Sequence, residues 1–393
     1  MNFKYPFSAI GHHLEDEVFD ILKDANKTMK TYTQGYYQEK FEKEFSEKFQ
    51  LPFTLAISNA ASGLDLIAND LEIKSGDEII CPAHTYCASA YPFLKSGASI
   101  VWCDIDPKTW LPSKDHYLSK VTKNTKAIIV VHLYGVPSDV YEIYSELRSR
   151  NIKIIEDCAQ AIGAKYDNKP VGFFSDYSVF SFQSHKNIST LGEGGMISVG
   201  NSESYEKIKK QRHNGHTKYL IHEDKYWKPA MSDVRKIYNE IYPSNYCMNE
   251  FQSIVGSYLI NKVDKIIKNR ESKWKLASDF FKNNEKILMQ DIPHKSSSSF
   301  HLLPLRINVI NSNIDQIFKD MCTNGIQCAK QYQPLYRYHL FDNDSKDLED
   351  KKLLPNTDLF YDQMISLPFH ENLVKDDLKY ILQTLLNVVN NIK

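Results

Sequence analysis

The chain has 393 residues, 42% of them hydrophobic and 25% charged, and a formal net charge of −1. That length gives room for two domains in an ordinary globular composition, and the near-neutral balance offers nucleic acid or a membrane surface nothing to bind by charge. No run of about 18 apolar residues exists to cross a bilayer, residues 1–6 lack a signal peptide's apolar stretch, and the seven cysteines, odd in number and without a CxxC pair, suit free thiols in a cytoplasmic protein.

Apolar positions at helical spacing predict helices over 14–29 and 37–49, the second with Phe41, Phe45 and Phe49 on one inward face. A strand through residues 55–57 leads by Ser58-Asn59-Ala60-Ala61-Ser62-Gly63 into a helix over 64–71. Strands follow at 78–82, 99–103, 127–132 and 152–156, with a helix over 140–150 before the last. Strands alternating with helices imply βαβ units and a largely parallel sheet, where ligands gather at the carboxyl ends of the strands. After a strand at 196–199, a polar stretch over 201–244 reads as a helix plus an extended loop. Helix resumes over 248–270, and the chain ends in an amphipathic helix over 375–392. The expected division is a large domain, 1–255, and a smaller C-terminal one, 256–393, with the boundary falling within 255–275. The first twenty or so residues are expected to pack on the smaller domain.

The candidate chemistry centres on Lys186, which has apolar neighbours before it and Gly192-Glu193-Gly194-Gly195 after it. A lysine amine is nucleophilic only when unprotonated, so a pocket that desolvates it prepares it to hold an aldehyde cofactor. A pyridine-ring electron sink also needs a carboxylate for the ring nitrogen, an aromatic to lie on the ring, and donors at a helix start for a phosphate. Asp157 closes a strand and could be that carboxylate, or equally a helix N-cap before residues 159–163. The Ser58–Gly63 segment could cradle a phosphate, or could be an ordinary Ser or Asn cap. Tyr86, in His84-Thr85-Tyr86, stands where a ring could stack, although a tyrosine among 24 is more often packing. His185 and Lys186, as neighbours on an extended loop, point oppositely, so only one can face a ring. No GxSxG, HExxH or Walker-type loop is present. His84, His132, His185, His213 and His216 with Cys81 or Cys158 match no common metal spacing, and no metal is expected.

In their order and spacing these segments resemble the DegT/DnrJ/EryC1/StrS family of nucleotide-sugar aminotransferases. The resemblance spans nearly the whole chain, through Gly76–Pro82, Cys103-Asp104-Ile105-Asp106, Val131–Gly135, Glu156–Gly163, Ser181–Lys186, Gly192–Gly195 and Ile365-Ser366-Leu367-Pro368. It implies the α/β fold of the fold type I aminotransferases: a three-layer α/β/α large domain with a mostly parallel sheet, plus a smaller α/β C-terminal domain. It implies pyridoxal 5'-phosphate as cofactor, with Lys186 holding the aldehyde and Asp157 on the pyridinium nitrogen. Tyr86 would stack on the ring, Gln160 would bond its 3-hydroxyl, and Ser181 with Ala60 and Ala61 would bind the phosphate. Asn245 would reach the phosphate of a neighbouring subunit, making the protein a homodimer. Two departures stand out: Ala60-Ala61 replaces the family's Gly-Thr, removing a hydroxyl that Ser62 could supply, and Cys247 replaces an arginine. The implied reaction moves an amino group from an amino acid, L-glutamate, to a keto sugar. The expected acceptor is a nucleotide-linked 4-keto-6-deoxy sugar, used for amino-sugar or surface-polysaccharide biosynthesis. The alternatives are a 3-keto sugar, a cyclitol or small phosphate ester, and a catalytically silent cofactor-binding protein. Relatives that remove a 3-hydroxyl carry histidine at the lysine position, and Lys186 stands in the lysine register from Phe182.

Overall fold

The computed structural model describes residues 3–8, 14–215, 242–308, 314–342 and 352–392. It opens with helices α1 (Asp16–Thr28) and α2 (Tyr36–Phe49). The four-residue spacing of Phe41, Phe45 and Phe49 puts all three on the buried face of α2. The alternation then runs β1 (Phe53–Ile57), α3 (Ala60–Asp70), β2 (Glu78–Pro82), α4 (Tyr91–Lys95), β3 (Ser99–Cys103), α5 (Lys114–Leu118), β4 (Thr125–Val131), α6 (Tyr144–Ser149) and β5 (Lys153–Asp157). A short ribbon of β6 (Lys165–Tyr166) and β7 (Lys169–Pro170) precedes β8 (Tyr177–Ser181), β9 (Gly195–Val199) and α7 (Ser202–Gln211).

Seven of these strands form one sheet in the order β1-β9-β8-β5-β4-β2-β3. Every neighbouring pair is parallel except those of β9, which runs against both β1 and β8. Both faces are covered. Val179 of β8 joins the cluster under α3, while the next residue, Phe180, joins the cluster under α2, its ring 5.1 Å from that of Phe45. Side chains that alternate across a strand therefore meet helices on either side, which makes three layers.

Beyond the sheet come α8 (Glu250–Ile260), α9 (Val263–Phe281), β10 (Ile287–Met289), β11 (Ser296–Ser297), β12 (Leu303–Ile307), α10 (Ile314–Thr323), α11 (Pro355–Gln363), β13 (Met364–Leu367) and α12 (Lys375–Asn391). The single helix expected over 248–270 is two. Asn261 turns its side-chain amide onto the Ser257 carbonyl at 2.8 Å, a local bond that competes with the helical ladder and ends α8. The antiparallel sheet β10-β12-β13 packs with α9, α10 and α12 around a second apolar core. Tyr5 joins that core and bonds the Gly325 carbonyl, whereas α1 packs against α8 on the large-sheet side. Of the polar stretch 201–244, α7 supplies the expected helix, and residues 216–241 lie outside the described residues. Among the described residues no helix is long and apolar enough to cross a membrane.

Candidate active site

The carboxyl ends of β2, β4, β5 and β8 and the start of α3 open on one side of the sheet. There they line a cleft of about 570 Å³ whose opposite wall comes from the second core. At the start of α3, Asn59 has extended backbone, its Oδ1 accepts from Ser62 N (2.9 Å), and Asn59 N donates back to Ser62 Oγ (3.3 Å). Of the two alternatives open in the sequence, the cap is present, and it leaves room for the cradle. Asn59 and Ser62 close the capping box, and Ala60 and Ala61, whose amides a helix start leaves without intrahelical acceptors, line the cleft. Ser62 does not line it: its hydroxyl donates to the Asn59 carbonyl at 2.7 Å and lies 3.0 Å from Ser58 Oγ. Its expected contribution to a phosphate site is therefore corrected, because the cap consumes the hydroxyl. Gly195, at the start of β9, presses against the same turn, where a Cβ would fall 2.8 Å from the Asn59 carbonyl carbon and 2.9 Å from Ala60 N. Ser181, the last residue of β8, completes this end of the cleft.

Asp157 ends β5, 7% exposed. No helix follows it, so the N-cap alternative fails. Its Oδ1 accepts from Ala159 N (3.0 Å) in a turn, and its Oδ2 accepts from Ser89 Oγ (2.7 Å), itself 3.0 Å from Thr85 Oγ1. A carboxylate buried behind neutral donors calls for a cation to offset its desolvation.

Lys186 sits in a turn after β8, its amide donating to the Gln183 carbonyl at 2.8 Å. Burial strips water from its ammonium and lowers its pKa to about 8, against the raising pull of the Asp157 and Glu193 carboxylates. His185 does not point away as expected: residues 184–185 form a turn, not an extended strand, and both His185 and Lys186 line the cleft.

Gln160 is held by two bonds. Its Oε1 accepts from Tyr134 N (2.8 Å) and its Nε2 donates to Tyr332 Oη (3.0 Å), which fixes the NH₂ on the cleft side. Tyr86 is 56% exposed, so it is not buried packing, and its ring lies 5.8 Å from that of Tyr332 at 58°. His84 faces Tyr134 Oη at 2.7 Å, and burial lowers its pKa to about 4. Beneath the site, His132, Glu156 and Cys158 cluster within 4.8 Å. Ser138 N donates to His132 Nδ1 (3.0 Å), His132 Nε2 lies 2.9 Å from Glu156 Oε2, and Tyr144 Oη donates to Glu156 Oε1 (3.1 Å), so protein groups already engage these atoms.

Asn245 is exposed, bridges to His213 and does not line its own cleft. Cys247 pairs with Ile57, its thiol directed at the Arg212 carbonyl (3.7 Å). Sequence reasoning missed Ser89, Tyr332, Arg270 and His370. For Ser89 alone a signal existed, since it stands one helical turn past Thr85; the others reach the cleft from segments far along the chain.

The DegT/DnrJ/EryC1/StrS aminotransferase family matches residues 14–386. The uncharacterized protein MJ1066 of Methanocaldococcus jannaschii is 32% identical over 397 residues, covering 100% of this chain and 97% of that one. The GDP-perosamine synthase of Vibrio cholerae is 27% identical, covering 85% of this chain and 86% of its own length. Helicobacter pylori PseC, an aminotransferase involved in the biosynthesis of pseudoaminic acid, superposes with a TM-score of 0.86 at 26% identity, with 100% of each chain covered. The architecture is accordingly that of a fold type I aminotransferase. With a match along almost its entire length, the chain belongs to the DegT/DnrJ/EryC1/StrS aminotransferase family.

Proposed function

We propose that this pyridoxal-phosphate-dependent aminotransferase carries nitrogen from L-glutamate to a nucleotide-linked 4-keto-6-deoxy sugar for amino-sugar or surface-polysaccharide biosynthesis. The observation that carries the reading is Lys186, its pKa lowered to about 8, in one cleft with the buried Asp157 and the open amides of α3. The residues fit the cofactor in kind: an anion cradle, a carboxylate that among the described residues lacks a full cationic partner, and an amine made nucleophilic by burial. When bound, pyridoxal phosphate supplies the electron sink that stabilises charge on the substrate carbon.

The chain's own groups supply position and protons. The Ala60 and Ala61 amides and the Ser181 hydroxyl hold the phosphate, at the positive end of the α3 dipole. Asp157, steadied by Ser89 and the Ala159 amide, keeps the ring nitrogen protonated. Gln160, its oxygen already committed to Tyr134, can only donate, so its Nε2 suits an ionised ring oxygen. Tyr86 lies against the ring. With the cofactor bound, Lys186 Nζ would take the proton from the donor carbon and hold it for return, a role suited to an amine that titrates near the working pH.

The acceptor assignment draws on the V. cholerae and H. pylori relatives, a perosamine synthase and an aminotransferase of pseudoaminic acid biosynthesis. We further read the protein as a homodimer in which Asn245, outside its own cleft, reaches the phosphate held by a second copy. Its seven free thiols suit the cytoplasm.

The test is spectroscopic. Loaded protein should lose its visible cofactor band when L-glutamate is added and regain it with a 4-keto sugar nucleotide. A band that no amino acid alters would make the protein a silent binder, and recovery with 3-keto sugars alone would move the acceptor.

A further inference from the structure

On the wall opposite Lys186, His370 follows β13 and is 8% exposed, and neither ring nitrogen has a partner in ordinary hydrogen-bond geometry among the described residues, the Pro6 carbonyl being an acceptor close to the ring. The ring lines the cleft beside Phe7 and Phe369. A neutral imidazole carries one donor and one acceptor, and leaving them poorly met in a buried position is costly unless a ligand improves on the contact with Pro6.

The groups packed around this ring carry a surplus of positive charge. Arg270, 2% exposed, faces Glu371 (Nε–Oε1 3.1 Å) and gives Nη1 to the carbonyls of Phe300, His301 and Phe369. Lys273 Nζ donates to the carbonyls of His370 and Glu371, each at 3.0 Å. Glu371 gives its other oxygen to Asn269 (2.7 Å). Two cations thus stand against one carboxylate. Burial lowers the His370 pKa, Lys273 and Arg270 add to that effect, and the Pro6 carbonyl and Glu371 oppose it. The ring is therefore a neutral donor in a positive field, a combination that selects an anion with a hydrogen-bond-accepting oxygen.

We propose that His370, backed by Arg270 and Lys273, forms the subsite for a carboxylate of the amino donor. The proposal rests on the transaminase reading above and adds which wall of the cleft distinguishes the donor. A carboxylate there takes the His370 N–H in place of the Pro6 carbonyl, offsets the surplus charge and leaves the amine free to face Lys186.

The two half-reactions separate donor from acceptor. His370→Phe should raise the L-glutamate concentration for half-maximal loss of the cofactor band about tenfold, equivalent to about 1.4 kcal/mol, with the limiting rate and the acceptor's half-saturation within about twofold. Glutarate, which has the carboxylates but no amine, should weaken in parallel as a competitor of glutamate. His370→Asn keeps one N–H donor and should recover most of the loss, and an unchanged cofactor spectrum in both variants certifies their folding. Unchanged glutamate half-saturation in His370→Phe overturns the proposal, and so does a rise confined to the acceptor, which would assign the wall to the sugar nucleotide's phosphates. A wild-type protein whose band no amino acid alters overturns the transaminase reading and this subsite together, an outcome distinct from a shift confined to the His370 variants.

Discussion

A lysine that attacks an aldehyde must first shed its proton, and Lys186 stands where water no longer holds that proton firmly. With its pKa lowered to about 8, roughly a tenth of the amine is free at pH 7, against well under a thousandth for an ordinary lysine. The sign follows: the reactive form is the base, so uptake of pyridoxal phosphate by the cofactor-free protein should accelerate as pH rises and level off above about 8. Stopped-flow absorbance across pH 6 to 10 checks it, and a midpoint near that of free lysine would remove the desolvation argument. Because the depressed pKa is a penalty on the charged form in the folded state, Lys186→Met should stabilise the cofactor-free protein at neutral pH. That gain should be full below about pH 8 and fade as pH rises from there to the lysine's ordinary value. Asp157→Ala should keep the cofactor but reduce turnover by about 10²–10³-fold, the scale of removing one electrostatic partner from a reacting centre. Ser89→Ala, which removes the 2.7 Å donor to Asp157, should cost less in the same direction. Equal turnover in Asp157→Ala would sink its assignment.

At the scale of elements, the start of α3 does two jobs at once. The Asn59–Ser62 capping box fixes where the helix begins, and Ala60 and Ala61 within that first turn line the cleft. Asn59→Ala should cost about 1 kcal/mol of stability and weaken cofactor binding as well, measured by denaturant unfolding and by titration. A stability loss with unchanged affinity would mean the cradle does not depend on the cap. Strand and helix types were legible along most of this region, since period-two and period-3.6 patterns are local. The break between α8 and α9 was not, because Asn261 reads as an ordinary helical residue until its amide is seen on the Ser257 carbonyl. The turn holding His185 was likewise hidden, since alternation argues only for extended backbone.

For the whole molecule, the cleft has one wall on the seven-stranded sheet and the other on the second core. A cofactor that binds only the folded arrangement stabilises it by mass action, about 2.7 kcal/mol at a hundredfold excess over Kd, so pyridoxal phosphate should raise Tm by several degrees. The dimer reading has its own check. Lys186→Ala and Asn245→Ala variants should each be impaired, yet mixing and re-equilibrating them should restore activity, because one site of the hybrid then combines an intact lysine with an intact asparagine. No recovery on mixing would confine Asn245 to its own chain.

The sequence alone determined the alternation of strands and helices and the residue types at the strand ends. These depend on backbone periodicity and on motifs whose members lie within a few residues of one another. Lys186, Asp157 and Tyr86 were singled out on that basis, with the family resemblance adding Gln160 and supplying the roles. The tertiary structure decided which side chains meet: Ser89 behind Asp157, Tyr332 holding Gln160, Ser62 spent on a cap, and His370 unpartnered among the described residues opposite Lys186. Such pairings are set by the crossing of segments distant in the chain. The desolvation that tunes Lys186 belongs with them, because it comes from the whole enclosure of the cleft and from no residue's neighbours in sequence.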